Sequence, residues 1–312
     1  MRVFVAGATG ALGRALVPQL LEAGHEVVGL ARDASRGALL ERWGARAAVA
    51  NPFDREALIA AVRHAGAEVV LHQLTALAGN IEFRNLDGHF ERTNRMRTEV
   101  TQSLLAAARL VRARLFVAQS YCGWPYAREG GPVKTEEDPL DRDPPAAFGR
   151  TLAAIRYLEE AVQSSHDLPA IALRYGSFYG PGTSIAREGS VVALLRAQRL
   201  PIVGDGAGIW SFIQVEDAAR ATLAAIARGT PGIYNVVDDE PAPVSEWLPA
   251  LAASVGAEPP SHMPAWLGWI LMGEGGVSMM TRIRGGSNAK AKRELGWRPA
   301  YASWRKGFVE GL

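Results

Sequence analysis

The apolar run Val3-Phe4-Val5 leads without a break into Gly7, Gly10 and Gly13, and this junction limits the possible folds more than any other stretch. It reads as a buried strand, a tight turn and a helix start. Gly7 suits the turn, Gly10 leaves room for an anion to approach the backbone, and Gly13 lets the helix lie close on the strand. A glycine triplet alone also fits an ordinary turn. The context favours a nucleotide-binding βα turn: the triplet closes a hydrophobic strand and precedes a repeated alternation of strands and helices. The atoms expected to face a pyrophosphate belong to Gly7, Thr9, Gly10, Ala11, Leu12 and Gly13.

The rest of the chain supports a sheet with helices on both faces. Leu12, Leu16 and Leu20 mark a helix face, and Pro18 predicts a kink or a lost hydrogen bond within it. Glu26 to Leu30 reads as the second strand, Ala45 to Asn51 as the third, Glu68 to Thr75 as the fourth and Arg114 to Ser120 as the fifth. Gly79 to Gly88 reads as a loop, and the residues from 121 to 147 as an active-site loop too polar for core. Helices follow over Phe148 to Val162 and Val191 to Leu200, with strands at Leu168 to Leu173 and Gly232 to Val237. The fold class is α/β: a Rossmann-like, doubly wound parallel sheet with a smaller, mostly helical C-terminal part that binds substrate. Residues 1–175 and about 210–240 form the dinucleotide-binding domain, and about 176–209 with 241–312 the substrate part.

The bulk numbers exclude several classes. Lys and Arg total 34 against 32 Asp and Glu, with no basic stripe, so nucleic-acid binding has no electrostatic support. The single cysteine, Cys122, gives neither an intramolecular disulfide nor a cysteine-rich metal site. No apolar run approaches the ~20 residues that span a bilayer, and the first strand starts too early to leave room for a signal peptide. The expectation is a soluble, cytoplasmic protein.

The end of the second strand decides the cofactor. An acidic residue there binds the ribose 2′-hydroxyl of NAD, whereas an arginine favours the 2′-phosphate of NADP. The order Ala31-Arg32-Asp33 puts Arg32 first and favours NADP, with NAD still possible through Asp33. Asn51 is placed to meet the adenine edge, and Leu74 and Thr75 end the fourth strand beside the cofactor. His72 and Gln73 face the cofactor or belong to the core.

Several motifs together resemble the extended short-chain dehydrogenase/reductase family, in its epimerase/dehydratase-like branch. They are the glycine spacing, Asn94, the run Arg174 to Gly182, the segment Ile202 to Gly206 with Ser211 to Asp217, and Ser287 to Trp297. The resemblance covers nearly the whole chain and implies Arg174 among the cofactor contacts and a possible homodimer. It also implies a catalytic Ser/Thr with a Tyr and a Lys four residues apart on one helix. The phenol exchanges a proton with the substrate, and the lysine lowers its pKa. Here that helix carries Phe148 and Leu152 at the corresponding positions, and no tyrosine in the chain has a lysine four residues on. Ser120 falls near the Ser/Thr position, with Tyr121 as the alternative. Tyr121 and Tyr126 are the candidate stand-in acids, Cys122 a weaker one.

Trp210 stands where nucleotide-sugar relatives place an arginine. With the Trp/Met patch from His262 to Met280, it points to a hydrophobic or aromatic small-molecule substrate; ordinary core or a dimer surface explains that patch equally well. Three functions stay open. The first is an NADP-dependent oxidoreductase with a non-standard proton donor. The second is a non-redox cyclase, isomerase or lyase on the same scaffold, and the third a non-catalytic NADP(H)-binding sensor.

Overall fold

A computed structural model describes residues 1–77 and 85–312. Its centre is a parallel sheet of seven strands: β1 (Arg2–Ala6), β2 (Glu26–Ala31), β3 (Arg46–Val49), β4 (Val69–His72), β5 (Leu115–Tyr121), β6 (Ala170–Tyr175) and β7 (Gly232–Val236). The spatial order is β7-β6-β5-β4-β1-β2-β3. The order reverses at β1, between β4 and β2, and the open crevice of a doubly wound sheet lies at that switch, beyond the C-terminal strand ends.

The strands read as near-continuous hydrophobic runs because both faces of the sheet are covered. Along β1, Val3 and Val5 face one core with Val69, Leu71, Val117 and Ile171. Phe4 and Ala6 face the other core with Val70, Phe116, Ala118 and Ala172. On the first face lie α1 (Ala11–Glu22), through Leu12, Leu16 and Leu20, and the later helix Val215–Arg228, through Ala218, Ala221 and Ala225. The second face is covered by α3 (Arg55–Ala65), by the helical run from α4 (Glu91–Arg95) to α5 (Thr101–Leu110), and by α6 (Gly149–Gln163). The short α2 (Ala34–Arg42) follows β2. Between α4 and α5 the backbone widens into a π-helical turn, Met96–Val100. The carbonyl of Met96 there accepts from the Thr101 hydroxyl and meets the ring Nε2 of His72 at 3.1 Å.

The C-terminal part has its own core. Phe212 is surrounded by Trp210, Trp247, Trp304 and Phe308, with ring centroids 5.2–6.4 Å away. Asp217, fully buried, ties this part to the sheet: its carboxylate accepts from the backbone N–H of Ala300 at 2.7 Å and of Tyr301 at 3.0 Å.

α1 runs through Pro18 as one helix; the ring removes a single donor, the lost hydrogen bond expected there, and the helix is held by the packing of Leu16 and Leu20. Other expectations need correction. The loop expected over 79–88 lies partly outside the described residues, and its end is the helical turn Leu86–His89. The Trp/Met patch is divided: helix Ala265–Thr281 breaks at Gly273 (φ 70°, ψ 179°). Trp266, Trp269, Ile270 and Leu271 before the break are exposed, whereas Met279 and Met280 after it are buried. Among the described residues no helix is long and apolar enough to cross a membrane.

Candidate active site

The glycine turn has the geometry its spacing predicts. Gly7 has φ +103°, and a Cβ there would lie 2.5 Å from the Gln73 carbonyl oxygen at the end of β4. A Cβ on Gly13 would lie 2.3 Å from the Gly7 oxygen. Neither position admits a side chain. Gly10 differs: its added Cβ would meet only the Gly7 oxygen, at 3.4 Å, so the space outside it is open. Gly10 also caps α1 without a side-chain hydrogen bond, and the first turn has no acidic residue. The N–H groups of Ala11, Leu12 and Gly13 therefore lack intrahelical acceptors, and an anion there gains both donors and the helix dipole. These residues fit a dinucleotide pyrophosphate. The close approach of Gly7 to Gln73 brings Leu74, and Thr75 after it, alongside the same turn.

At the end of β2, Asp33 is already occupied. Its Oδ1 accepts from the backbone N–H of Arg36 at 2.9 Å and from the Ser35 hydroxyl at 2.7 Å, capping α2. The hydrogen bonds from Ser35 and Arg36 hold its carboxyl below the usual range. Arg32 is exposed and stands 3.4 Å from Asp33. Arg36, which the sequence reading missed, reaches back to donate to the Thr9 hydroxyl of the glycine turn at 3.3 Å. The signal was its place in the first turn of α2, three residues after the cap. Asn51 folds its side-chain oxygen onto the N–H of Phe53 at 3.1 Å, and its amide nitrogen stays exposed.

Beyond β5 the structure separates residues that the sequence grouped. The Ser120 hydroxyl donates to Glu159 at 2.6 Å, with Ser120 only 2% exposed. Arg174 grips both oxygens of Glu159 at 2.7 and 2.6 Å and donates to the Tyr126 hydroxyl at 3.0 Å. The Tyr126 hydroxyl in turn donates to Asn235 at 2.7 Å. Ser120, Tyr126 and Arg174 thus form one interior network across β5, β6, β7 and α6. Three of the five Arg174 N–H donors are thus engaged in this network and its side chain is buried, and Tyr126, fully buried and pushed up by that burial, is held in the same network. Burial alone would lower Arg174, but the hydrogen bonds and charge of Glu159 outweigh it and raise it above its ordinary value. Cys122 is buried too, and its thiol is pushed up by burial.

Tyr121, the last residue of β5, remains on the crevice side. Its hydroxyl shares a hydrogen bond with Ser177 at 2.8 Å. Burial pushes the phenol up to about 12, opposed by that bond and by the charge of Arg97. Trp124 lies beside it at 6.4 Å between centroids, and Phe148 lies 4.7 Å from Trp124. Leu86, Leu152, Ile155, Met279 and Ile283 complete this apolar wall, with Trp210 at its edge. The start of α6 is held by Asp87, whose carboxylate accepts from the N–H groups of Arg150 and Thr151 and from the Thr151 hydroxyl. Asn94 donates to that hydroxyl at 3.0 Å. Phe148 and Leu152 are 3% and 0% exposed, in the wall itself. The glycine turn can hold a dinucleotide, and the Tyr121 ring packs against this apolar cluster.

These features define a class. The model of the NAD dependent epimerase/dehydratase family matches residues 3–236, and the chain belongs to that family. Over 309 residues it is 44% identical to the 3-diazoavenalumate denitrifying reductase of a Streptomyces species, with 99% of each chain covered. A UDP-glucose 4-epimerase of Mycolicibacterium smegmatis is 29% identical over 317 residues, covering 97% of this chain and 95% of that one. The solved UDP-glucose 4-epimerase of Thermus thermophilus in complex with NAD superposes with a TM-score of 0.75 at 25% identity, covering 99% of this chain and 97% of the other. The protein is an enzyme of the oxidoreductase or epimerase kind that works with a nicotinamide dinucleotide.

His72 belongs to the core: it is 1% exposed, and burial lowers it to about 4. Between about pH 4 and its ordinary value near ~6.5 the unfolded chain binds this proton and the folded one does not, so stability falls as pH drops through that window. His72→Gln should show a smaller loss of Tm between pH 7 and 4.5 than the parent, measured by thermal melts. Identical losses would mean that His72 titrates normally in the fold.

Proposed function

We propose that this enzyme is an NADPH-dependent reductase that removes a diazo group as dinitrogen from an aromatic carboxylate. The observation that carries the reading is the apolar wall of Phe148, Leu152 and Trp124 where α6 meets the crevice. The full-length similarity to the denitrifying reductase supports it. In a ketone reduction, hydride addition leaves an oxyanion that needs a proton, hence a positioned acid. An aryl diazonium needs none. The net conversion takes one hydride to the aromatic carbon and releases N2 with the electron pair of the broken C–N bond; the step creates no oxyanion. Bound NADPH would supply that hydride. Phe148 and Leu152, at the positions where the family resemblance implies Tyr and Lys, then remove nothing the chemistry requires. The wall has a role of its own: the ring faces of Trp124, Phe148 and Tyr121 suit a flat, cationic aromatic group. They also keep out water, which would otherwise displace the N2 and give a phenol.

On this reading the cofactor is NADP(H). Asp33 is engaged as a helix cap and is not free to hold a ribose diol, while Arg32 and Arg36 flank the place of a 2′-phosphate. Asn51, Leu74 and Thr75 complete the adenosine side. The test is turnover of aryl diazonium carboxylates by the purified protein with NADPH. One N2 released per NADPH oxidised is expected, and oxidation of NADPH only with ketones would refute the diazo reading.

Arg36→Ala should weaken NADPH binding roughly ten- to a hundredfold, the loss typical of a charge-assisted contact, and leave NADH binding unchanged. Calorimetric titration of both cofactors checks this, and an equal loss for the two would remove Arg36 from the 2′-phosphate site.

A further inference from the structure

Among the described residues Arg97 is a buried cation with almost nothing to pair with. It is 8% exposed, and a guanidinium stays charged and offers five N–H donors. Among the described residues its single hydrogen bond runs from Nη1 to Asn94 Oδ1, at 3.5 Å, and it makes no ion pair within 4.0 Å. Arg174 shows how this fold satisfies a buried guanidinium when the purpose is structural: two bonds to Glu159 and one to Tyr126, all within 3.0 Å. Glu159 is the nearest source of negative charge to Arg97, but its oxygens are taken by Arg174 and Ser120. Burial accordingly lowers Arg97 to about 10, with only the charges of Glu159 and Tyr121 opposing. An unpaired buried charge is costly, and a fold keeps one where a ligand completes the pairing.

The backbone around Arg97 is also unusual. It sits in the π-helical turn Met96–Val100, a wide turn of the kind that recurs at functional sites. His72 at the end of β4 and Thr101 both reach the Met96 carbonyl and fix the turn in place. Asn94, one turn earlier, is held by Thr151 at the head of α6. Arg97 thus lies near enough to Tyr121 for its charge to act on that phenol.

We infer that Arg97 receives an anionic oxygen of the substrate, a carboxylate or a phenolate, at the floor of the crevice beside Tyr121. This rests on the reductase reading above. The substrate is the appropriate source of the anion, because the cofactor's phosphates belong to the glycine turn and to Arg32 and Arg36. One anchored oxygen would fix the orientation of the aromatic ring against Trp124 and Phe148, which offer shape but no direction. The aromatic diazo substrate proposed above would then be held through its carboxylate or a ring phenolate.

The experiment compares the parent with Arg97→Gln and Arg97→Lys at saturating NADPH, using two pairs of aryl diazonium substrates. One pair is a carboxylate and its methyl ester; the other is a phenol and its methyl ether. Arg97→Gln should raise KM roughly ten- to a hundredfold for the anionic member of one pair, leave its neutral partner unchanged, and be partly rescued by Arg97→Lys. The pair that loses its discrimination identifies the oxygen as carboxylate or phenolate. Equal losses within both pairs, or a lowered Tm with unchanged KM ratios, would make Arg97 a structural residue and overturn the inference. If the parent turns over none of the four compounds, the reductase reading fails by itself. Calorimetric binding of benzoate and phenolate to the NADP-loaded parent and to Arg97→Gln then decides the anion site: weaker binding to the variant supports it, and equal or absent binding overturns it.

Discussion

Everything at this site depends on how closely the backbone of β1 and the start of α1 approach each other and the end of β4. Gly13 rests where a methyl group would overlap the Gly7 carbonyl, and Gly7 where one would overlap Gln73. Those two absent side chains let α1 start directly over the sheet with its first N–H groups facing outward. They also set the end of β4 beside the turn, so that Gln73 and Leu74 lie against it. Gly10 is free of such crowding and is left as the open point of the turn. Two glycines here serve packing and the third serves the ligand.

The second constraint is the division of polar groups between the interior and the crevice. Ser120, Glu159, Arg174, Tyr126 and Asn235 are hydrogen-bonded to one another inside the fold and link three strands to α6. Within a low-dielectric interior such bonds reinforce one another. They hold the Ser120 and Tyr126 hydroxyls in the interior. Among the described residues, aromatic and aliphatic side chains, the Tyr121 phenol and the under-paired Arg97 guanidinium lie on the other side of this division. The proposed departure of N2 from a flat cation would draw on those groups.

The fold was legible because its signals are local. Alternation along β1 and β5, the 3.6-residue spacing of Leu12, Leu16 and Leu20, and the glycine triplet each need only a few neighbouring residues. The glycine turn was legible for the same reason, whereas the interior pairing of Arg174 was not. That arginine looks like a ligand contact in a linear motif, and only the folded chain reveals Glu159 fifteen residues earlier as its partner. Ser120 and Tyr121 stay alternatives in sequence for a related cause: β5 alternates its side chains between faces, and a slip of one residue exchanges one for the other. Arg36 and Arg97 were missed because their roles come from a helix cap and a π-turn, which no periodicity announces.

The central claim is that hydride transfer proceeds here without a proton donor. Tyr121→Phe tests it most directly, because the ring stays in the wall and only the hydroxyl is lost. The account predicts N2 release from a diazonium substrate within about threefold of the parent rate, since no acid is being removed. A fall of about 10²-fold or more, the usual cost of losing a general acid, would contradict it and return Tyr121 to the place of the missing tyrosine.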